Sequence, residues 1–87
     1  METKFYTQMR TKRSPEWDNV CVGHSSIEMG MTCHQAYLSC QAGEKVSTEI
    51  VSEGAQDMFR FFLGVLDAAD DIAEFRLVKV ITEVIDA

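Results

Sequence analysis

Cys21, His24, Cys33, His34 and Cys40 fall within one stretch of twenty residues, and no other side chains in the chain are better suited to chemistry. Thiolates and imidazoles are zinc ligands, and zinc takes four donors in a tetrahedron, usually delivered as close pairs on tight turns. Cys21-Val-Gly-His24 has the spacing of one such pair, with Gly23 able to make the turn. The second pair is wrong for zinc. On a strand the adjacent Cys33 and His34 point to opposite faces, and no other short ligand spacing follows. The pattern therefore predicts no metal site, with Cys21, His24, Cys33 and Cys40 as weak candidates. Three thiols buried mostly as small apolar groups is the simpler expectation, and an odd cysteine count argues against a disulfide framework.

Catalytic constellations are thin. Cys33 or Cys40 with His24 could be drawn as nucleophile and base, but any chain with three cysteines and two histidines allows that drawing. Asp67, Asp70 and Asp71 could supply paired carboxylates for acid–base work. They fall at an expected helix end rather than a cleft, where burial would not tune their pKa values. They also lack the alternating ligands and central glycine of a calcium loop. The glycines are scattered singly, so no phosphate loop is present, and a chain of 87 residues has little room for a deep pocket. The expectation is a protein that is not an enzyme and carries no cofactor.

The elements that position these groups are best defined near the C-terminus. Ala55, Met58, Phe59, Phe62, Val65, Leu66 and Ala69 recur every three or four residues, which predicts an amphipathic helix over about 53–70 with Ser52 as its N-cap. Residues of about 74–85 are rich in β-branched side chains and alternate in part. They predict a strand with Phe75, Leu77 and Ile81 on one face and Val78, Val80 and Val84 on the other. Residues 4–12 alternate loosely and predict a first strand, followed by a polar break around Pro15. Val20, Val22 and Ile27 suggest a second strand ending near Met29-Gly30.

Residues 31–41 admit two readings. Thr32 and Gln35 fit a capping box with Gly43 as the helix stop, whereas a hairpin through Ala42-Gly43-Glu44 would pair the segment with Val46, Thr48 and Ile50. The hairpin is preferred because it needs only a short glycine-containing loop. Strands on both sides of a helix predict an α+β two-layer sandwich forming one domain over 1–87. Its mainly antiparallel sheet would have three to five strands.

Charge points toward binding. The net charge is −6, yet Lys4, Arg10, Lys12 and Arg13 crowd the first strand region against Glu2 alone. The remainder holds four basic residues against thirteen acidic ones, so direct binding to nucleic acid is disfavoured. Asp67, Asp70, Asp71 and Glu74 gather at the C-terminal end of the expected helix, where the dipole prefers cations. With Trp17 in a loop as an anchor, this end is the expected partner-binding surface. No apolar run is long enough to span a bilayer and no secretory signal is evident, so a cytoplasmic location is expected.

The leading functional expectation is an acidic inhibitor or adaptor that docks a basic surface, for instance on a nucleic-acid-handling complex. Many small acidic proteins of phages and mobile elements act in this way. The alternative is a dimeric structural or antitoxin-like subunit using its basic strand Lys4–Arg13. A small metal-binding or thiol-dependent protein built on Cys21, His24 and Cys33 stands third.

Overall fold

A computed structural model of the chain describes residues 1–61 and 72–86, the side chains of residues 72 and 73 excepted. Alternation carries the first strand, β1, over Glu2–Thr11, and β-branched density carries the last, β3, over Ile72–Thr82. A two-residue strand β2 (Asp18–Asn19) follows the polar break. The three form one antiparallel sheet in the order β2-β1-β3, and the fold is α+β.

Register sorts the sheet into two faces. Thr7 lies opposite Leu77 and Met9 opposite Phe75, and these residues face the helix; Gln8 lies opposite Arg76 and Arg10 opposite Glu74 on the other face. The strand β3 therefore puts Phe75 and Leu77 on the face expected, while Val84 and Ile85 fall beyond its end at Thr82.

The principal correction concerns residues 27–41. They form an α-helix, α1 (Ile27–Gln41), and not the second strand and hairpin that the sequence suggested. Three local features explain the helix. Ser26 is extended and its hydroxyl accepts from the Met29 N–H, so the cap lies six residues ahead of the expected Thr32. Glu28 adds a carboxylate to the first turn. At the far end Gly43 has φ +85, and the bonds Gly43 N–H to Cys40 O and Glu44 N–H to Ser39 O close a Schellman motif.

The buried stripe of α1 is Gly30, Cys33, Ala36 and Tyr37, made mostly of small residues. Gly30 lets the helix lie close to the sheet, because a Cβ there would stand 2.8 Å from Phe5 Cβ. The segment expected to pair as a strand, Val46 to Ile50, contains a 3-10 turn at Thr48–Ile50 capped by Ser47. The next helix begins as a 3-10 turn at Glu53–Ala55 and is α-helical over 56–61, which we call α2. Ser52 occupies its N-cap position without donating or accepting a capping bond. The rest of the expected helix, including Phe62, Val65, Leu66 and Ala69, lies outside the described residues.

The core sits between α1, α2 and the sheet. Tyr37, Phe59, Val20 and Cys33 are fully buried, and the Tyr37 ring meets Phe59 edge-on at 5.1 Å and Phe75 at 5.6 Å. Such aromatic contacts add about 0.5–1.5 kcal/mol each beyond their burial. No helix among the described residues is long and apolar enough to cross a membrane.

Candidate functional site

After β2 the chain continues antiparallel to β1, and its pairing contains a bulge. Val20 donates to Thr7 O, and Phe5 and His24 exchange both backbone bonds, so residues 21–23 stand opposite Tyr6 alone. Bulges re-aim side chains and backbone groups. Here the Val20 carbonyl turns inward and accepts from the Tyr37 hydroxyl at 2.6 Å. The Thr7 N–H, deprived of a carbonyl, donates to Cys21 Sγ at 3.1 Å.

The bulge also brings Cys21 and His24 beneath α1, where Cys33 faces the sheet from the helix's buried stripe. One sulfur from each cysteine and one imidazole nitrogen of His24 lie within 4.8 Å of one another, and all three residues are buried. The helix removes the geometric objection to this group. Cys33 and His34 are about 100° apart around a helix instead of opposed across a strand. Cys33 reaches Cys21, and His34 Nδ1 lies 3.2 Å from Thr7 Oγ1.

The electrostatics are uneven. The hydrogen bond from Cys33 brings the Cys21 thiol down to about 7, aided by the Thr7 N–H and opposed by burial. Cys33, bonded to Cys21 and buried, is pushed far upward. The pair thus holds its second proton while giving up its first near neutrality. Burial lowers the pKa of His24, with a contribution from the Lys4 charge, and burial also lowers that of His34. His24 Nδ1 lies 3.4 Å from Ser52 Oγ, and its Nε2 is buried with no hydrogen-bond partner among the described residues.

Cys40 is half-buried and outside this group. It lies seven residues beyond Cys33 on α1, about 10 Å along the axis. The sulfur and nitrogen donors of Cys21, His24 and Cys33 suit a metal ion or reversible thiol chemistry. As a nucleophile, Cys21 is screened by its surroundings, being only 3% exposed.

Two further surfaces bear on recognition. Trp17 does not cap the core: its ring lies under the Arg76 guanidinium at 4.0 Å and the Arg10 guanidinium at 5.7 Å. Arg10 pairs with Glu74 at 2.7 Å, and Arg76 donates to Gln8, whose amide donates to Asn19. Glu74 and Trp17 thus share one polar face of the sheet, whereas Asp67, Asp70 and Asp71 lie outside the described residues. The second surface is a groove of about 420 Å³ lined by Met31, Gln35 and Ala36 of α1 together with Val46 and Ile50.

Sequence reasoning found Cys21, His24 and Cys33 but missed Thr7, Ser52 and Tyr37, which hold them. The Ser25-Ser26-Ile27-Glu28 run is a readable N-cap signal that would have placed Cys33 on a helix. No protein-family model, curated protein or solved structure matches this chain.

Proposed function

We propose that the chain is a small protein-binding module, an inhibitor or adaptor, rather than an enzyme. The supporting observation is the groove between α1 and the segment around Thr48–Ile50. Met31 and Ile50 stand 56% and 47% exposed at its rim, with Ala36 as buried floor. Exposed methionine adapts its shape to an apolar partner. Glu28, Glu44 and Glu49 are exposed on the segments that line the groove, against Lys45.

The occupant that fits is an amphipathic segment of a partner protein, apolar toward the groove and carrying Lys or Arg on its flanks. Asp67, Asp70, Asp71 and Glu74, with Trp17 on the same sheet face as Glu74, would offer a separate contact to a larger basic surface, distinct from the groove on α1. A nucleic-acid-handling complex is one target class with such a surface, and a phage or mobile element is a fitting source for such an inhibitor. A cytoplasmic setting follows from that role.

The test is differential retention from lysate. Tagged wild type is compared with Met31→Asp, Ile50→Asp and a triple reversal of Asp67, Asp70 and Asp71 to lysine, all checked for folding. A species held by wild type, weakened by each change and by added salt, supports the reading. Equal retention by wild type and the folded variants overturns it.

A second reading is favoured by one feature of the sheet. The eleven-residue β3 ends the strand order, so one of its edges pairs with no other described strand. A long edge is a template for pairing with a second copy. The basic strand β1 would then sit near the dimer's centre, although Lys4 is engaged by Glu2 and Arg10 by Glu74. A dimeric mass in solution that is lost in Lys79→Pro, where the N–H points away from β1 to the open edge, would favour this reading.

A further inference from the structure

We propose that Cys21, His24 and Cys33 bind a thiophilic d10 metal ion, Zn2+ or Cu+, through two sulfurs and the His24 Nε2. This site is independent of the docking surface and would stand if that reading failed.

Three observations carry the proposal. First, both sulfurs and one imidazole nitrogen of His24 already lie within 4.8 Å of one another, before any ion draws them in. In a tetrahedral site with metal–sulfur bonds of about 2.3 Å and metal–nitrogen bonds of about 2.0 Å, donors are about 3.5–3.8 Å apart. The widest separation that the 4.8 Å limit allows exceeds this range by roughly 1 Å, the scale of a side-chain adjustment.

Second, His24 is short of one partner. Ser52 Oγ at 3.4 Å engages Nδ1, and Nε2 is enclosed with no hydrogen bond to any of the described residues. A buried polar nitrogen left in this state requires an explanation, and coordination to a metal supplies one. The Ser52 contact is also what a ligating imidazole needs, because a group on one nitrogen fixes the ring that presents the other.

Third, the backbone already aims an N–H donor at the Cys21 sulfur. The Thr7 N–H points at Cys21 Sγ because the bulge removed its carbonyl partner. N–H donors of this kind surround metal-bound thiolates.

The donor set selects the class of ion. Two thiolates and a neutral imidazole are soft or borderline ligands, and the hard ions magnesium and calcium require oxygen. Three donors satisfy Cu+ directly, whereas Zn2+ would take a fourth ligand such as water. Binding exchanges the two thiol protons for the metal, with no change in oxidation state.

The first experiment titrates reduced, full-length protein with Co2+ and follows the thiolate-to-cobalt charge-transfer band. Displacement by Zn2+ and competition for Cu+ against a colorimetric chelator then separate the two ions. One equivalent is expected to saturate the site. Cys33→Ser and His24→Gln should each weaken binding by more than about tenfold, while Cys40→Ser leaves it unchanged.

Thiol alkylation read by mass spectrometry gives a second measurement that needs no variant. In enough urea to open the buried thiols, Cys21 at 3% and Cys33 at 0% exposure, the bound ion should slow alkylation of Cys21 and Cys33 but not of Cys40. Tight binding of either ion with this pattern supports the proposal. Failure of wild type to bind either ion, or equal alkylation with and without them, overturns it.

Discussion

Two polar clusters are built from the same strand and meet opposite fates. On the helix side of β1, Thr7, Cys21, His24, Cys33 and His34 are enclosed under α1. On the other side, Gln8, Arg10, Trp17, Asn19, Glu74 and Arg76 form a ladder of bonds across all three strands. The exposed ladder draws on water for most of what it lacks, although its Arg10 Nε is buried with no hydrogen-bond partner among the described residues. The buried cluster must satisfy its polar atoms internally, and it leaves the His24 Nε2 without a partner among the described residues. Burial of the individual atom therefore decides where unsatisfied chemistry is stored. A polar group without a bond costs little at the surface and about 1–3 kcal/mol inside.

The largest expected contrast comes from removing one atom beneath the buried cluster. Tyr37→Phe keeps the ring's packing on Phe59 and Phe75 but leaves the Val20 carbonyl, turned inward by the bulge, without its donor. The expected loss is about 1–3 kcal/mol in urea unfolding. Since the same bulge sets Cys21 and His24, the variant should also weaken metal binding if the site forms. A stability change below about 0.5 kcal/mol would mean that water replaces the hydroxyl and that the corner is wetter than its enclosure implies.

The pH response comes next. His24 and His34 have folded pKa values below the ordinary histidine range, mainly because burial disfavours their charged forms. As pH falls through about 6.5, the unfolded chain takes up protons that the folded chain refuses, so stability present at neutral pH is lost. Cys21 acts in the same direction at higher pH: its folded pKa of about 7 lies below its ordinary value, so its support is complete only above that value and is lost as pH falls through 7. Metal-free protein held with chelator should therefore melt at a lower temperature at pH 5.5 than at pH 7.5. Replacing both histidines with glutamine should flatten the acid limb. An unchanged melting temperature in wild type would show that the buried corner opens to water readily.

The same contrast explains what could be read in the sequence. The strands β1 and β3 were legible because each alternates large side chains, such as Phe5 and Met9 or Phe75 and Leu77, against polar ones. The helix α1 was not. Its buried stripe is Gly30, Cys33, Ala36 and Tyr37, whereas Ile27, Met29 and Met31 are exposed, so apolar periodicity gave little contrast. Close approach to Phe5 demands small residues there, and small residues weaken the pattern. The Cys21–His24 spacing was visible, but its third member depended on the state of residue 33, and an assigned strand made Cys33 and His34 look incompatible. The Thr7 N–H to Cys21 contact was invisible in principle, because it arises from a bulge that no residue type announces.

The smallest effect belongs to the exposed cluster, and its smallness is what makes it informative. Glu74 and Arg10 are 2.7 Å apart, yet their side chains are 49% and 37% exposed. Solvent screens such a pair to at most about 1 kcal/mol, so Glu74→Gln should change unfolding free energy by about 0.5 kcal/mol or less. A loss well above that would mean that Arg10, whose Nε is buried without a partner among the described residues, depends on Glu74 for compensation. With stability nearly unchanged, any loss of partner retention in Glu74→Gln reports on docking alone. Trp17→Ala tests the same face from its apolar side, since the ring's contact with Arg76 is worth only about 0.5–1 kcal/mol at an exposed site. If both variants fold normally and retain a partner as wild type does, the docking surface lies on the groove side of α1 and the ladder serves only the sheet.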